Sequence, residues 1–420
     1  MTDDLRQDFP MKRGTIALRA GVGLGAALMA LSAVSGAGAT TGVGGGPVAE
    51  SVLGSGSDTT QFMMGALDNL YQFSPGCAQI PTGATPPNGG AAWFDFSCQA
   101  PDPAGTVTTE NYQHDQVAQA YFLGSSNGIK QLCTQGQTNV AHIDYARSSR
   151  APKTTDCSGL HFVAYARDAI SWEAYNVTGS GIATMNNTSG VCAGTGGTTK
   201  KFCLTQQQLK YIFLGGDPAD SGNPGGCPLN WSEFGGASVA IDPYTPQPGS
   251  GTRSTWDGFL GGSSDACINA RGTTYATSHI VPENSNTAVV ANADQAGAIF
   301  PFSYGVWSTQ VKGKNGAVLG LVDKIAPTAT TIGNLTFPYG RFLFNVFNAA
   351  TASDGTSRYV GEEGWLCKTA ANHGTNPQTG NNYSTDIQAA IKASGFVPMP
   401  SGTIGGGDNN QDYCRLTVTP

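Results

Sequence analysis

Three short segments carry the residue types that hold an anion with neutral donors. They are Gly54-Ser55-Gly56-Ser57-Asp58-Thr59-Thr60-Gln61, Gly124-Ser125-Ser126-Asn127-Gly128-Ile129-Lys130-Gln131 and Gly249-Ser250-Gly251-Thr252-Arg253. Each is small and hydroxyl-rich, and each precedes a stretch with helical character. A helix start offers unpaired backbone N–H groups and the positive end of the macrodipole. Hydroxyls add donors, and glycine lets an anion approach the backbone closely. One such loop is ordinary turn and cap chemistry. Three in one chain point to a dry cage around an oxyanion. The second segment also fits Gly-x-Ser-x-Gly, with Ser126 in the nucleophile's place between a strand and a helix. A serine hydrolase would further need an acid and a base, and His279 and His373 are the candidates for the base.

Alternating strands and helices must position these loops. Residues 49–53 read as a short strand into the first loop. Residues 61–73 follow at helical spacing, with Phe62, Met63, Ala66, Leu67, Leu70 and Tyr71 as the apolar set. Residues 75–104 form a loop-rich insertion. Residues 117–123 read as a buried strand, 124–128 as a turn and 129–133 as the start of a helix. A further strand over 140–146 ends in Arg147-Ser148-Ser149-Arg150. This alternation predicts an α/β fold with ligands at the carboxyl ends of strands. Two stretches, 161–176 and 296–306, suit strands that cross between domains. Residues 205–214 read as a helix with Thr205 as N-cap, 337–347 as a core strand and 385–394 as a late helix. No internal repeat is present.

At 420 residues the chain exceeds one ordinary core and suits two domains. Only 12% of residues are charged, but with 39% hydrophobic the chain is globular rather than disordered. A formal net charge of −7 argues against a nucleic-acid binder. It also means that a bound anion must be held by local donors against the overall field. The N-terminus reads as an export signal over 1–39: Lys12 and Arg13, an apolar run over 17–34, then Ala37-Gly38-Ala39 before a mature start near Thr40. A retained membrane anchor is the alternative, for which the run is short. Residues 40–47 are a Gly-rich linker. The ten cysteines favour disulfides in an exported chain, and pairing of sequence neighbours is the expected connectivity. There is no CxxC and no HExxH, so no metal and no cofactor is expected.

Taken in order, these segments resemble the phosphate-binding proteins of bacterial ABC transporters. Residues 124–131 look like that family's Gly-Ser-Ser-Gly-Gly-Val-Lys-Gln segment, and Ser148-Ser149-Arg150-Ala151-Pro152 like the Ser-Ser-Arg variant of its second-strand loop. Residues 204–215, then Trp231, resemble its Leu-Thr-x-x-x-Leu-x-x-Ile-Phe-Leu-Gly and Asn-Trp stretches. Residues 249–253 match its Gly-Ser-Gly-Thr-Arg loop, and 297–304 its return crossing, with Phe300 and Pro301 replacing Gly-Tyr. The resemblance covers 49–397, with insertions. It implies the two-lobed type II periplasmic-binding-protein fold, each lobe a central sheet flanked by helices, with two crossing strands. The implied division is 48–168 and 301–420 for the two parts of lobe I, and 169–300 for lobe II. The implied function is an exported solute-binding protein, not an enzyme. It would capture inorganic phosphate and deliver it to an ABC-transporter permease.

By carry-over, Ser57, Asp58 and Thr59 line the first loop and Ser125 the second. Ser149 and Arg150 belong to the third contact region, and Ser250, Gly251, Thr252 and Arg253 to the far lobe. An arginine fork matches two phosphate oxygens. A carboxylate accepts a hydrogen bond from protonated phosphate and repels fully ionised sulfate. Some relatives carry an acid where this chain has Arg150, and Asp58 stands where Thr is common. Either the charges are rearranged, with Asp58 as acceptor, or the ligand is another oxyanion. Arg150 and Arg253 also have a plainer reading as salt bridges. A surface or adhesion protein that kept the fold and lost the ligand is a further alternative.

Overall fold

The computed structural model describes residues 51–71, 79–81, 94–97, 112–114, 116–119, 124–134, 143–187, 190–193, 201–217, 222–285, 287, 289, 295–362, 364–367, 375–376, 378–399 and 417–420. The expected signal over 1–39 and linker over 40–47 lie outside them.

The elements that position the site are strand β1 (Ser51–Gly56), helix α1 (Gln61–Tyr71), β2 (Phe94–Ser97), β3 (Gln116–Gln119), α2 (Ser125–Thr134), β4 (Tyr145–Ser148), β5 (Leu160–Tyr175), α3 (Gln206–Leu214), β6 (Asp242–Pro243), α4 (Gly251–Leu260), β7 (Ala298–Ser303), β8 (Gly340–Asn348) and α5 (Tyr383–Ala393). These eight strands form the main path of one eleven-stranded mixed sheet, in the order β2-β3-β1-β4-β8-β5-β7-β6. Strand β1 is parallel to β3 and β4, so the loops after these three strands emerge at one edge.

The 16-residue β5 joins the two lobes. Nine of its first ten residues, all but Tyr165, pair with β8, and Ile170 to Glu173 pair with β7. Its side chains alternate, as a pleated strand requires. Leu160, Phe162 and Ala164 pack with Ile129 and Leu132 of α2 on one face. Val163 and Tyr165 pack with Met63, Met64 and Leu67 of α1 on the other. Farther along, Ala169, Ile170, Trp172 and Ala174 enter a core with Leu209, Ile212 and Phe213 of α3 and Trp256 of α4. One strand therefore fixes the helices of both halves.

Helix α3 starts where the sequence expects. The Thr205 hydroxyl accepts from Gln208 N–H at 3.1 Å, and Gln208 Oε1 accepts from Thr205 N–H at 2.9 Å. Helix α2 starts four residues earlier than its apolar spacing indicates, because the loop itself forms the first turn. Gly128 lets that turn rest on β1: a Cβ there would lie 2.6 Å from Gly56 Cα. Disulfides join Cys133 to Cys157, Cys192 to Cys203 and Cys227 to Cys267, in the neighbour order read from the sequence. The first ties the end of α2 to the segment after β4. Cys77, Cys98 and Cys414 lie outside the described residues. Among the described residues no helix is long and apolar enough to cross a membrane.

Candidate functional site

The loop after β1, the N-terminus of α2 and the end of β4 bring their hydroxyls to one point. Ser57 Oγ donates to Ser149 Oγ at 3.0 Å, and Ser125 Oγ lies 3.3 Å from Ser149 Oγ. The Ser149 N–H donates to Ser125 Oγ at 3.0 Å. All three serines are fully buried. The N-terminus of α4 closes over them from the other lobe. Gly251 makes that approach possible, since a Cβ there would lie 2.2 Å from Ser125 Oγ and 2.3 Å from Ser149 Oγ. Ser250 caps α4, accepting the Arg253 N–H at 2.9 Å. Thr252 Oγ1 comes within 3.4 Å of Thr59 Oγ1. Ser126 N–H donates to Gly249 O at 3.0 Å, so backbone also bridges the two loops.

The centre of this cage holds a carboxylate oxygen. Glu283 Oε1 accepts from Thr59 Oγ1 at 2.6 Å and Thr252 Oγ1 at 2.7 Å. The Thr252 N–H at 3.4 Å and Ser149 Oγ at 3.5 Å complete its surroundings. Its other oxygen, Oε2, is buried without a hydrogen-bond partner, as is Oδ1 of Asp58. The Asp58 carboxyl has its pKa raised to about 8, first by burial and then by the charge of Glu283; Arg147 and the Gly124 N–H pull the other way.

The cation at the cage is Arg341, on β8. Its Nη1 donates to Thr252 Oγ1 at 3.1 Å and to Ser149 O at 3.0 Å. Nε and Nη2 are held by Asp168 Oδ2 of β5 at 3.0 and 2.8 Å. Asp168 also accepts from Ser303 Oγ at 2.7 Å and Gly305 N–H at 3.0 Å. A buried ion pair at the crossing strands thus aims one nitrogen at the donor loops of both lobes.

Of the residues singled out from sequence, Ser57, Thr59, Ser125, Ser149, Gly251 and Thr252 come together here, with Asp58 beside them. Arg150 and Arg253 are engaged elsewhere. Arg150 forks onto Asp156 at 2.8 and 2.7 Å, and its Nε donates to Ser126 Oγ at 3.0 Å. It lines a surface pocket of about 390 Å³ with Lys130 and Lys153. Arg253 pairs with Asp265 and, at 3.7 Å, with Asp257. His279 is stacked between Tyr244 and Tyr275 and interacts with Ser278 and the Tyr275 carbonyl. His373 lies outside the described residues. Sequence reasoning missed Glu283 and Arg341. A lone charge in an apolar strand was the available signal for Arg341, and the Arg167-Asp168 pair inside the apolar β5 was the signal for Asp168. Nothing local marked Glu283.

The profile of the PBP superfamily domain, the periplasmic-binding-protein class, matches residues 104–360. The chain belongs to that superfamily. It is a family of substrate-binding proteins rather than enzymes, and the two-lobed α/β fold expected from the resemblance is the one described above. Within the PBP match lie Ser125, Ser149, Thr252, Glu283 and Arg341; the first loop precedes it. Among solved structures the chain is similar to one assigned as a phosphate ABC transporter substrate-binding protein with bound phosphate from Clostridium perfringens. That similarity has 17% identity over 83% of this chain and 99% of that one, with a TM-score of 0.48. It is also similar to an ABC-type phosphate transport receptor from Vibrio cholerae, with 18% identity, 82% and 99% covered and a TM-score of 0.46. A third is PstS from Borrelia burgdorferi, with 16% identity, 83% and 98% covered and a TM-score of 0.38. No curated protein matches the chain.

Proposed function

We propose that this PBP-superfamily protein is an exported solute-binding protein that captures an oxyanion, inorganic phosphate, between its lobes and delivers it to an ABC-transporter permease. The observation that carries the reading is the seat of Glu283 Oε1. Hydroxyls from both lobes, Thr59 and Thr252, donate to one anionic oxygen in a buried cage. Neutral donors and Arg341 supply the attraction, which suits a protein of net charge −7. The motif order described from the sequence points to phosphate, and the signal-like segment over 1–39 to export. Closure around the ligand excludes water and strengthens each contact.

Calorimetry with phosphate tests this. The wild-type chain should bind, and Thr252→Val should weaken binding by about ten- to a hundredfold, the loss of one hydrogen bond to a charged group. A phosphate isotherm left unchanged by Thr252→Val would place the ligand elsewhere and end the reading.

A further inference from the structure

Glu283 is the least expected occupant of an anion cage. It follows the short strand Ile280–Val281, which pairs with Thr245–Pro246 just before the α4 loop. A turn, with the Ser285 N–H donating to Pro282 O at 3.2 Å, projects it inward. Asn284, at φ 55°, holds that turn in place. Its Nδ2 donates to Thr59 Oγ1 at 2.8 Å, and its Oδ1 accepts the Ser303 N–H at 3.2 Å. Glu283 is 5% exposed. One of its oxygens takes the two shortest donations in the cage, and the other takes none. A buried carboxylate without full pairing is costly. It is therefore a poor structural solution, but a good stand-in for a ligand with more oxygens.

We propose that Glu283 is a tethered competitor: its carboxylate occupies an oxyanion-oxygen position and latches the cleft shut until a ligand displaces it. This rests on the oxyanion reading of the cage. A phosphate that enters must take the Thr59 and Thr252 hydroxyls from Glu283. Its extra oxygens find Ser57, Ser125 and the Arg341 side of the cage, which one carboxylate oxygen does not use. The displaced carboxylate returns to water with its turn. Affinity is set by this exchange, so the intrinsic site is tighter than the observed one.

The test compares wild type, Glu283→Gln and Glu283→Ala as full chains, titrated with inorganic phosphate and with sulfate. Glu283→Ala should bind phosphate about tenfold tighter or more, with Glu283→Gln between, since the amide keeps the shape but not the charge. Sulfate should gain in the same order. Ligand-free Glu283→Ala should have a larger radius of gyration by small-angle scattering than ligand-free wild type. Unchanged or weaker phosphate binding in both variants overturns the competitor while leaving the oxyanion site standing. An unchanged radius overturns the latch. If none of the three proteins binds either anion, the oxyanion reading itself falls. Should Glu283→Ala fail to fold, Glu283→Gln alone decides, by tighter binding or by none.

Discussion

Asp68 lies in helix α1 and Asp58 in the loop that precedes it. Asp68 is fully buried and Asp58 half-buried, both lie within the field of Arg147, and burial is the first cause of a raised pKa in each, to about 7 for Asp68 and about 8 for Asp58. Their surroundings differ. Asp68 accepts from Tyr359 Oη on one oxygen and from Gln119 Nε2, at 2.8 Å, on the other. Gln119 in turn accepts from Arg147 Nη1 at 2.7 Å, and Arg147 holds Gly54 O and Ser57 O at 3.1 and 3.3 Å. That network is closed, and it clamps the base of the first loop. Asp58 keeps an oxygen without a hydrogen-bond partner and faces a second acid, Glu283. Buried polar groups in a structural network are matched, whereas those at a binding site are left with capacity to spare. The difference separates the scaffold from the site within one helix and its loop.

The largest effect should come from the cation of the cage. Arg341→Ala leaves Asp168 buried without its partner, which costs about 3–5 kcal/mol. It also removes the positive charge beside the cage and the Nη1 donations that hold Thr252 Oγ1 and Ser149 O, so phosphate binding should fall by about a hundredfold or more. Arg341→Lys separates the two losses. An ammonium can still pair with Asp168 but lacks the fork. Thermal melting should recover most of the stability while calorimetry still finds weak binding. Wild-type affinity in either variant would remove Arg341 from the site.

A smaller effect, in pH, tests the two acids directly. Between the unfolded value of 3.8 and the folded values, the native state keeps protons that the unfolded state has lost. Stability therefore falls as pH rises, by up to about 1.4 kcal/mol per pH unit for each acid. The fall levels off near pH 7 for Asp68 and near pH 8 for Asp58. Melting curves of the ligand-free protein should show this slope, and Asp58→Asn or Asp68→Asn should each remove a share of it. Phosphate should change the share that belongs to Asp58 and leave that of Asp68 alone. Equal responses to phosphate would erase the distinction between scaffold and site.

Much of the scaffold is legible in the chain. The Thr205 cap, the long crossing strand and the alternation that leads to three donor loops depend on local chemistry that a single segment displays. The three disulfides described join sequence neighbours, as expected for an exported chain, although spacing by itself does not fix a connectivity. The donors of the cage are legible for the same reason: Ser, Thr and Gly before a helix mean the same thing wherever the helix lies. The charges are not. Arg341 and Glu283 reach the cage from 58 positions apart in the sequence, through sheet register and a turn, and no local pattern records that meeting. Arg150 and Arg253 stand inside motifs, yet each has an acid within reach along the chain, Asp156 for one and Asp257 and Asp265 for the other. The ligand assignment of both arginines passed over that proximity, and the ion pairs use it.

The smallest effect on binding should come from Arg150, the cation the sequence places beside Ser149. Its fork is committed to Asp156, and both side chains are buried, at 3% and 7% exposure. The Asp156 carboxyl is held below its ordinary range. Burial opposes this, but the hydrogen bonds from Arg150 and the Lys153 N–H outweigh it. Arg150→Ala alone would strand that carboxylate and lower the melting temperature. Arg150→Ala with Asp156→Ala removes the pair as a unit and should return part of the loss, the non-additivity expected of contacting residues. In both proteins phosphate affinity should stay within about twofold of wild type, because every nitrogen of Arg150 is engaged outside the cage, with Ser126, Ala151 O and Asp156. A tenfold loss in the double variant would mean that Arg150 releases Asp156 and turns into the cage when phosphate binds. The contrast would then shift, since a closed ion pair outside the cage would belong to the site as much as the open acids within it.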